Sequence, residues 1–249
     1  YAQKKINSLN KSRTIGISKS NIEFFNDAII NIDKIAWKLK KIEIFSDNLG
    51  KEKLINFENN HNELFSIIRN QKLFESLIKS LSKDKHFKRI NSLKNFNLSD
   101  NYNLIINTDF TSPITKKYFS RKILKQYNSS AYTTIIQHEK IVNDIAVQIF
   151  TKLGPLAFLP ISEKETSVVY SFYNKKNENI NDLIEKYNRK YKILKIEKIN
   201  SFELKSLNLR SYYQDNILAF GDLLHRIHPL AGQGFNMTIR DIKILLEII

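Results

Sequence analysis

The chain has 249 residues and a mass of 29.3 kDa, with 42% hydrophobic and 26% charged residues, which provides for a sizeable core and excludes a disordered or fibrous protein. It has no cysteine, which excludes disulfide scaffolds, thiolate zinc sites and cysteine nucleophiles, and no apolar run nears the ~20 residues of a membrane span. The formal charge is +15, but 32 of the 40 basic residues are lysines spread along a chain where lysine, asparagine and isoleucine fill 97 positions; A- and T-rich codons load such lysines onto solvated faces, so no nucleic-acid partner is expected.

No repeat and no proline- or glycine-rich linker divides the chain, and its only methionine is Met237, so it reads as an interior piece of a longer protein. Ile22, Phe24, Phe25 and Ile29 predict a helix over 19–28. Alternation at Ile42 and Ile44 predicts a strand over 41–46, and a second is expected near 63–68. Leu73, Phe74, Leu77, Ile78 and Leu81 predict an amphipathic helix over 71–81. Leu104, Ile105 and Ile106 form a short buried strand ending at Asn107-Thr108-Asp109. The densest basic stretch, KKYFSRKILK from Lys116 to Lys125, reads as one exposed helix or turn. Residues 131–139, 145–151, 157–161 and 167–173 read as successive strands of an antiparallel sheet. A helix over 181–191, a buried strand over 217–220, a glycine-rich turn and a helix from about Phe235 complete the series. The α/β flanks around an antiparallel middle imply two interleaved sub-domains of a mixed α and β fold.

The most informative stretch is Ile217–Asp241, ILAFGDLLHRIHPLAGQGFNMTIRD. Gly221-Asp222 ends a buried strand and so places a carboxylate at a sheet's carboxyl edge, where it can accept hydrogen bonds from sugar-like hydroxyls. Gly232-Gln233-Gly234 precedes an apolar-periodic helix; the glycines admit close backbone approach, and the helix start offers N–H groups and partial positive charge to an anion. Pro229 fixes the chain between the two, and Asn236 adds a short amide in the first turn. His225 and His228 are three apart, but Pro229 interrupts any helix there and no third ligand is suitably spaced, so no metal site is expected. His61, His86 and His138 read as ordinary surface or strand residues, and Asp47, Glu52, Asp182 and Glu185 as solvated charges. Phe150 and Phe158 are candidates for lining an apolar substrate channel, and no catalytic acid, base or nucleophile stands out.

The ordered string G-D-x-x-H-x-x-H-P-x-A-G-Q-G-x-N-x-x-x-R-D resembles the FAD-contacting motif of the para-hydroxybenzoate-hydroxylase-like flavoprotein monooxygenases, and among them the ubiquinone-biosynthesis hydroxylases. SRTIGIS at 12–18 resembles that family's R-x-x-x-L-S segment, IRNQKL at 68–73 its N-R-x-L helix start, and GPLAFLP at 154–160 its G-P-x-A-x-L-P segment. The resemblance implies an α/β fold in which an incomplete Rossmann-like FAD-binding domain (1–40, 90–125 and 205–249) is interleaved with an antiparallel-sheet substrate domain (41–89 and 126–204). It implies that Asp222 binds the ribityl hydroxyls of FAD, and that Pro229, Leu230, Ala231, Gly232, Gln233, Gly234 and Asn236 form the flavin-facing segment. Arg13 would contact the adenine-side ribose or pyrophosphate, and Asp109 would belong to a second FAD motif. The implied activity is ring hydroxylation of a polyprenylated phenol with NAD(P)H as reductant and molecular oxygen as co-substrate. The implied location is cytoplasmic, with peripheral contact at the inner membrane and a biosynthetic complex as further partners.

Two departures from the family stand out. Its opening strand and G-x-G-x-x-G turn do not precede Arg13. In its D-G-x-x-S-x-x-R motif Asp109 is present, Phe110 replaces the glycine, Pro113 falls on the serine unless Ser112 takes that role, and Lys116 stands for the arginine. The alternative readings are a degenerate, non-catalytic relative acting within a biosynthetic complex, and another flavoprotein oxidoreductase of the same superfamily.

Overall fold

The computed structural model describes residues 12–47, 53–58, 63–90, 102–173, 179–226 and 233–249. In chain order they form β1 (Thr14–Ser18), α1 (Lys19–Ala28), β2 (Ala36–Leu39), β3 (Lys41–Ser46), β4 (Lys53–Glu58), β5 (Phe65–Arg69) and α2 (Asn70–Leu81). There follow β6 (Ile105–Asn107), α3 (Pro113–Tyr118), β7 (Lys122–His138), β8 (Ile145–Thr151), β9 (Gly154–Pro160), β10 (Glu165–Tyr173) and α4 (Ile180–Tyr187). The last elements are β11 (Ile193–Ile196), β12 (Asn200–Leu209), β13 (Tyr213–Gln214), β14 (Ile217–Ala219), a 3₁₀ turn at Gly221–Leu223, β15 (His225–Arg226) and α5 (Gln233–Ile248). The described residues fall into two compact units, one within 10–77 and 128–204, the other within 78–127 and 205–249.

The first unit holds two sheets. In the smaller, β5 lies between β1 and β2 and is antiparallel to both. In the larger, the order runs β7, β10, β9, β8, β3, β4, with β11 on β7. Strand alternation divides this sheet's faces. Ile149, Phe158, Val168, Tyr170 and Ile136 point to one side, where Ile180, Leu183, Ile184 and Tyr187 of α4 close a core over them. Ala146 and Leu159 point to the other, against Leu39 and Ile67 of the smaller sheet. At the β8–β9 hairpin, Thr151 Oγ1 accepts from Leu153 N and Gly154 N, each at 3.2 Å, and donates to Gly154 O at 2.7 Å. Gly154 has φ +146°, and a Cβ there would collide with the Ser171 carbonyl oxygen of β10.

In the second unit β14 is flanked by antiparallel β13 and parallel β6. Phe119, Leu207, Leu209, Ile217, Ala219 and Leu223 form its core. β15 pairs with the end of β12, Leu207 opposite Arg226.

The structure corrects several expectations. The middle sheet is antiparallel through β7, β10, β9 and β8, but β3 runs parallel to β8, Lys41 opposite Ile145 through Ser46 opposite Phe150. No hairpin joins these two distant strands, so no short turn forces them antiparallel. KKYFSRKILK is neither one helix nor one turn: α3 ends at Tyr118, Phe119 enters the core, and β7 begins at Lys122, with Arg210 N donating to Arg121 O at 3.1 Å. The helix expected to Tyr191 stops at Tyr187, where Asn188 turns the chain: its Oδ1 accepts from Tyr191 N at 2.9 Å and its Nδ2 donates to Tyr191 O at 2.6 Å. The strand expected at 104–106 is only partly buried, Leu104 and Ile106 being 38% and 47% exposed; among the described residues β6 has a neighbour, β14, on one side only. Residues 12–40, expected with the cofactor domain, group with 128–204 instead: β1 is stitched to β5, and buried Ser12 donates to Thr133 O at 3.3 Å.

Candidate functional site

β6 and β14 pair in parallel, with Ile105 opposite Ile217 and Asn107 opposite Ala219, so their carboxyl ends lie side by side. Phe220 N then donates to Asn107 O at 2.9 Å. Each strand delivers a carboxylate just beyond this shared edge, Asp109 after β6 and Asp222 after β14. The carboxyl edge of parallel strands is where open α/β sheets bind ligands.

Gly221 makes the turn that presents Asp222. Its φ of +60° lies in the left-handed region, and a Cβ built there would meet only Thr108 Cγ2 and Thr238 Cγ2, both at 4.0 Å. Backbone conformation, rather than space, therefore calls for glycine here. The Asp222 side chain is left exposed, an acceptor-only group open to donors from solvent or a ligand. α5 packs against this turn. At its start Gln233 is exposed, Gly234 half-buried and Asn236 buried, and Thr238 Oγ1 donates to Gly234 O at 3.2 Å.

The Asp109 loop is held by a cluster that sequence reading did not single out. Buried Asn107 donates through Nδ2 to Thr115 Oγ1 at 2.7 Å, and Thr115 Oγ1 donates to Asp109 O at 2.6 Å. Ser112 Oγ donates to Asn107 Oδ1 at 3.2 Å and accepts from Thr115 N at 3.1 Å, capping α3. Pro113 occupies the first helical turn, where its missing N–H costs nothing. Ser112, not Pro113, thus supplies the hydroxyl of this turn, and a serine followed by proline was the sequence signal for such a cap. Asp109 Oδ1 accepts from Thr111 N and Thr111 Oγ1, each at 2.7 Å, while the Phe110 side chain is exposed.

The structure thus brings Asp109, Asp222, Gln233, Gly234 and Asn236 into one unit, around one sheet edge and the helix packed on it. Arg13 lies in the other unit, exposed and directly before β1, its carbonyl accepting from Asn70 N at 3.0 Å. Pro229, Leu230, Ala231 and Gly232, with His228, lie outside the described residues. Among the described residues no group of three or more metal-ligating side chains comes together.

Two side chains are less ordinary than their sequence contexts suggest. His138 is fully buried: its Nδ1 lies 2.8 Å from Glu139 O, its Nε2 3.0 Å from Thr166 Oγ1, and its ring centroid 4.5 Å from that of Tyr191. Asn143 completes this network, donating to Ser162 O at 2.8 Å and accepting from Tyr191 OH at 3.1 Å. Burial pushes the Tyr191 phenol up to about 12. Asp47 is not merely solvated, since it accepts from Tyr187 OH at 2.8 Å; burial, helped by that carboxylate, raises the Tyr187 pKa.

Comparison with known proteins follows the same lines. Residues 123–249 match the family described as FAD binding domain. The chain is 22% identical over 305 residues to the ubiquinone biosynthesis monooxygenase COQ6 of Drosophila melanogaster, covering 95% of this chain and 64% of that protein. It is 29% identical over 135 residues to 3-demethoxyubiquinol 3-hydroxylase of Escherichia coli, covering 50% of this chain and 34% of that protein. The chain therefore spans between about a third and two thirds of the length of these relatives. Among solved structures, p-nitrophenol 4-monooxygenase PnpA of Pseudomonas putida superposes with a TM-score of 0.74 at 11% identity, over 96% of this chain and 70% of that one. PqsL of Pseudomonas aeruginosa, described as a probable FAD-dependent monooxygenase, gives 0.72 at 15%, over 96% and 76%. The fold is that of these proteins.

Proposed function

The chain belongs to the FAD binding domain family, and we propose that the protein containing it is a monooxygenase that hydroxylates the aromatic ring of a polyprenylated phenol in ubiquinone biosynthesis. The relatives named for ubiquinone biosynthesis support the substrate class. The observation that carries the cofactor assignment is the Gly221-Asp222 turn at the paired ends of β6 and β14, with α5 packed against it. The donor set fits FAD. The exposed Asp222 carboxylate can only accept hydrogen bonds, as the hydroxyls of a ribityl chain require, and the start of α5 offers N–H groups and partial positive charge to the electron-rich side of a flavin. Gln233, Gly234 and Asn236 would hold that side, and Asp109 the remainder of the cofactor. When bound, FAD supplies the electron transfer and oxygen activation that no side chain provides. NAD(P)H is the proposed reductant and molecular oxygen the co-substrate; the chain's own residues bind, orient and exclude water. No described helix is long and apolar enough to cross a membrane. A cytoplasmic protein touching the inner membrane peripherally through its basic surface suits a lipid-tailed substrate, as does membership of a biosynthetic complex.

The test is Asp222→Ala in the full-length protein. Losing hydrogen bonds to a charged acceptor weakens flavin retention about tenfold or more, read as flavin absorbance per protein after gel filtration; unchanged retention would sink the cofactor assignment. Oxygen-dependent NAD(P)H oxidation with a product one oxygen heavier tests the activity. A non-catalytic relative is the second reading, favoured by one feature: Phe110 stands in the glycine position of a loop whose Asp109 carboxylate is taken up by Thr111. Full-length protein that retains flavin but never oxidises NAD(P)H would select that reading.

A further inference from the structure

A cavity lies where α4 ends. Asn188 turns the chain after Tyr187, and a volume of about 140 Å³ stays open beside β3, β8 and β9. Its walls are Phe45, Val147, Ile149 and Phe158 from β3, β8 and β9, with Tyr187 and Tyr191 closing over them. The lining lies on the α4 face of the sheet, opposite the face to which strand alternation turns Phe150.

Polar groups are few and mostly committed. Tyr187 OH donates to Asp47 and Tyr191 OH to Asn143. Glu43 reaches the cavity, but Lys53 at 2.6 Å and Lys41 at 3.4 Å compensate it; burial opposes its charge, yet the two lysines hold its pKa below the usual carboxylate value. Lys190 is different. Its side chain is exposed at the cavity and donates a long bond, 3.4 Å, to Asn143 Oδ1, leaving further donors on the same nitrogen, and Arg189 lines the cavity beside it with its guanidinium 5.5 Å from the centroid of the Phe45 ring. Partial desolvation of the Lys190 amine draws its pKa below that of an ordinary lysine, against the pull of Asp144 and Glu43.

We propose that this cavity is a binding site for a small aromatic molecule carrying one hydrogen-bond acceptor, the ring held between Phe45, Val147, Ile149 and Phe158 and the acceptor bonded to Lys190 Nζ. Size supports the ring, since an apolar void of about 150 Å³ in another protein takes up benzene. The cationic donors Lys190 and Arg189 support the acceptor, and the apolar walls disfavour a polyol. The proposal is independent of the flavin reading, as it uses no residue of the β6–β14 edge.

The test uses the 249-residue chain, with acetophenone as probe and toluene as its acceptor-free counterpart, followed by saturation-transfer NMR and calorimetry. Acetophenone is expected to bind saturably and about tenfold more tightly than toluene, the worth of a hydrogen bond to a charged donor. Lys190→Met should erase that preference while toluene binding persists, and Val147→Phe, which fills the cavity, should abolish both. Should Val147→Phe fail to fold, Phe158→Leu enlarges the cavity and should admit 2-acetylnaphthalene, which the parent chain excludes. Absence of saturable acetophenone binding to folded parent protein overturns the proposal. So does binding that Lys190→Met and the cavity variants leave unchanged.

Discussion

Replacing Gly154 by alanine tests how the β8–β9 hairpin is built. Two costs add. At φ +146° the backbone occupies a region that only glycine visits freely, a strain of about 1–3 kcal/mol for another residue. The new Cβ also lands on the carbonyl oxygen of Ser171, a main-chain atom of a strand paired on both sides, by β7 and β9, so no side-chain rotation relieves the clash. Forcing a methyl into packed structure costs about 1–3 kcal/mol more. A total of at least about 2 kcal/mol lowers the melting temperature by at least about 4 °C in a chain of this size. Thermal unfolding followed by far-UV circular dichroism on parent and Gly154→Ala chains measures it. A fall below about 2 °C would mean that the hairpin yields freely, and the steric reasoning would be wrong.

Gly221→Ala should behave differently, because its Cβ would meet nothing closer than 4.0 Å: a loss of about 1–2 kcal/mol from the left-handed φ alone, measured by urea unfolding, with flavin retention of the full-length protein falling as the turn presenting Asp222 relaxes. Ser112→Ala removes the cap of α3 and should cost about 1 kcal/mol in the same assay, whereas Ser112→Asn, which can still cap, should cost less. The Tyr191 phenol ionises near 10 when unfolded and at about 12 when folded. Between those values the unfolded chain releases a proton that the folded chain keeps, so this residue's contribution to stability falls as pH rises, by up to about 1.4 kcal/mol per pH unit. Urea unfolding from pH 9 to 12 should show a shallower decline in Tyr191→Phe than in the parent, and parallel declines would show that Tyr191 is not the source.

What was legible in the sequence is what local chemistry decides. The helix at 19–28 and the strand at 41–46 follow from apolar spacing alone, and both occupy the residues expected. The Asp222 turn was legible because a short apolar run, a glycine and an acid leave few alternatives. Partners distant in sequence were not legible. Nothing in KIEIFS announces that β3 will lie parallel to β8 about a hundred residues later, or that β1 will pair with β5 and draw Arg13 into the other unit. The same holds for His138, whose burial depends on Thr166 and Tyr191 arriving from two other segments. Asn107 was hidden for a subtler reason: its value lies in bonds to Ser112 and Thr115, and a loop read only for a missing glycine conceals the cap that replaces it.

Two glycines from the family-like segments show why a motif residue needs its own physical account. Gly154 belongs to GPLAFLP and Gly221 to the Asp222 string, and both have positive φ. Gly154 is walled in by the backbone of β10, so its lack of a side chain keeps that sheet intact whatever ligand the sheet meets. Gly221 stands clear of its neighbours, so its lack of a side chain serves only the direction in which the chain leaves β14, and that direction decides where Asp222 points. The first glycine would be needed in a relative that had lost all catalysis. The second steers Asp222 to the β6–β14 edge and Leu223 into the core beneath it, so it serves the fold of its unit as well as a ligand there, and flavin retention rather than the glycine itself separates a cofactor-binding protein from a degenerate one.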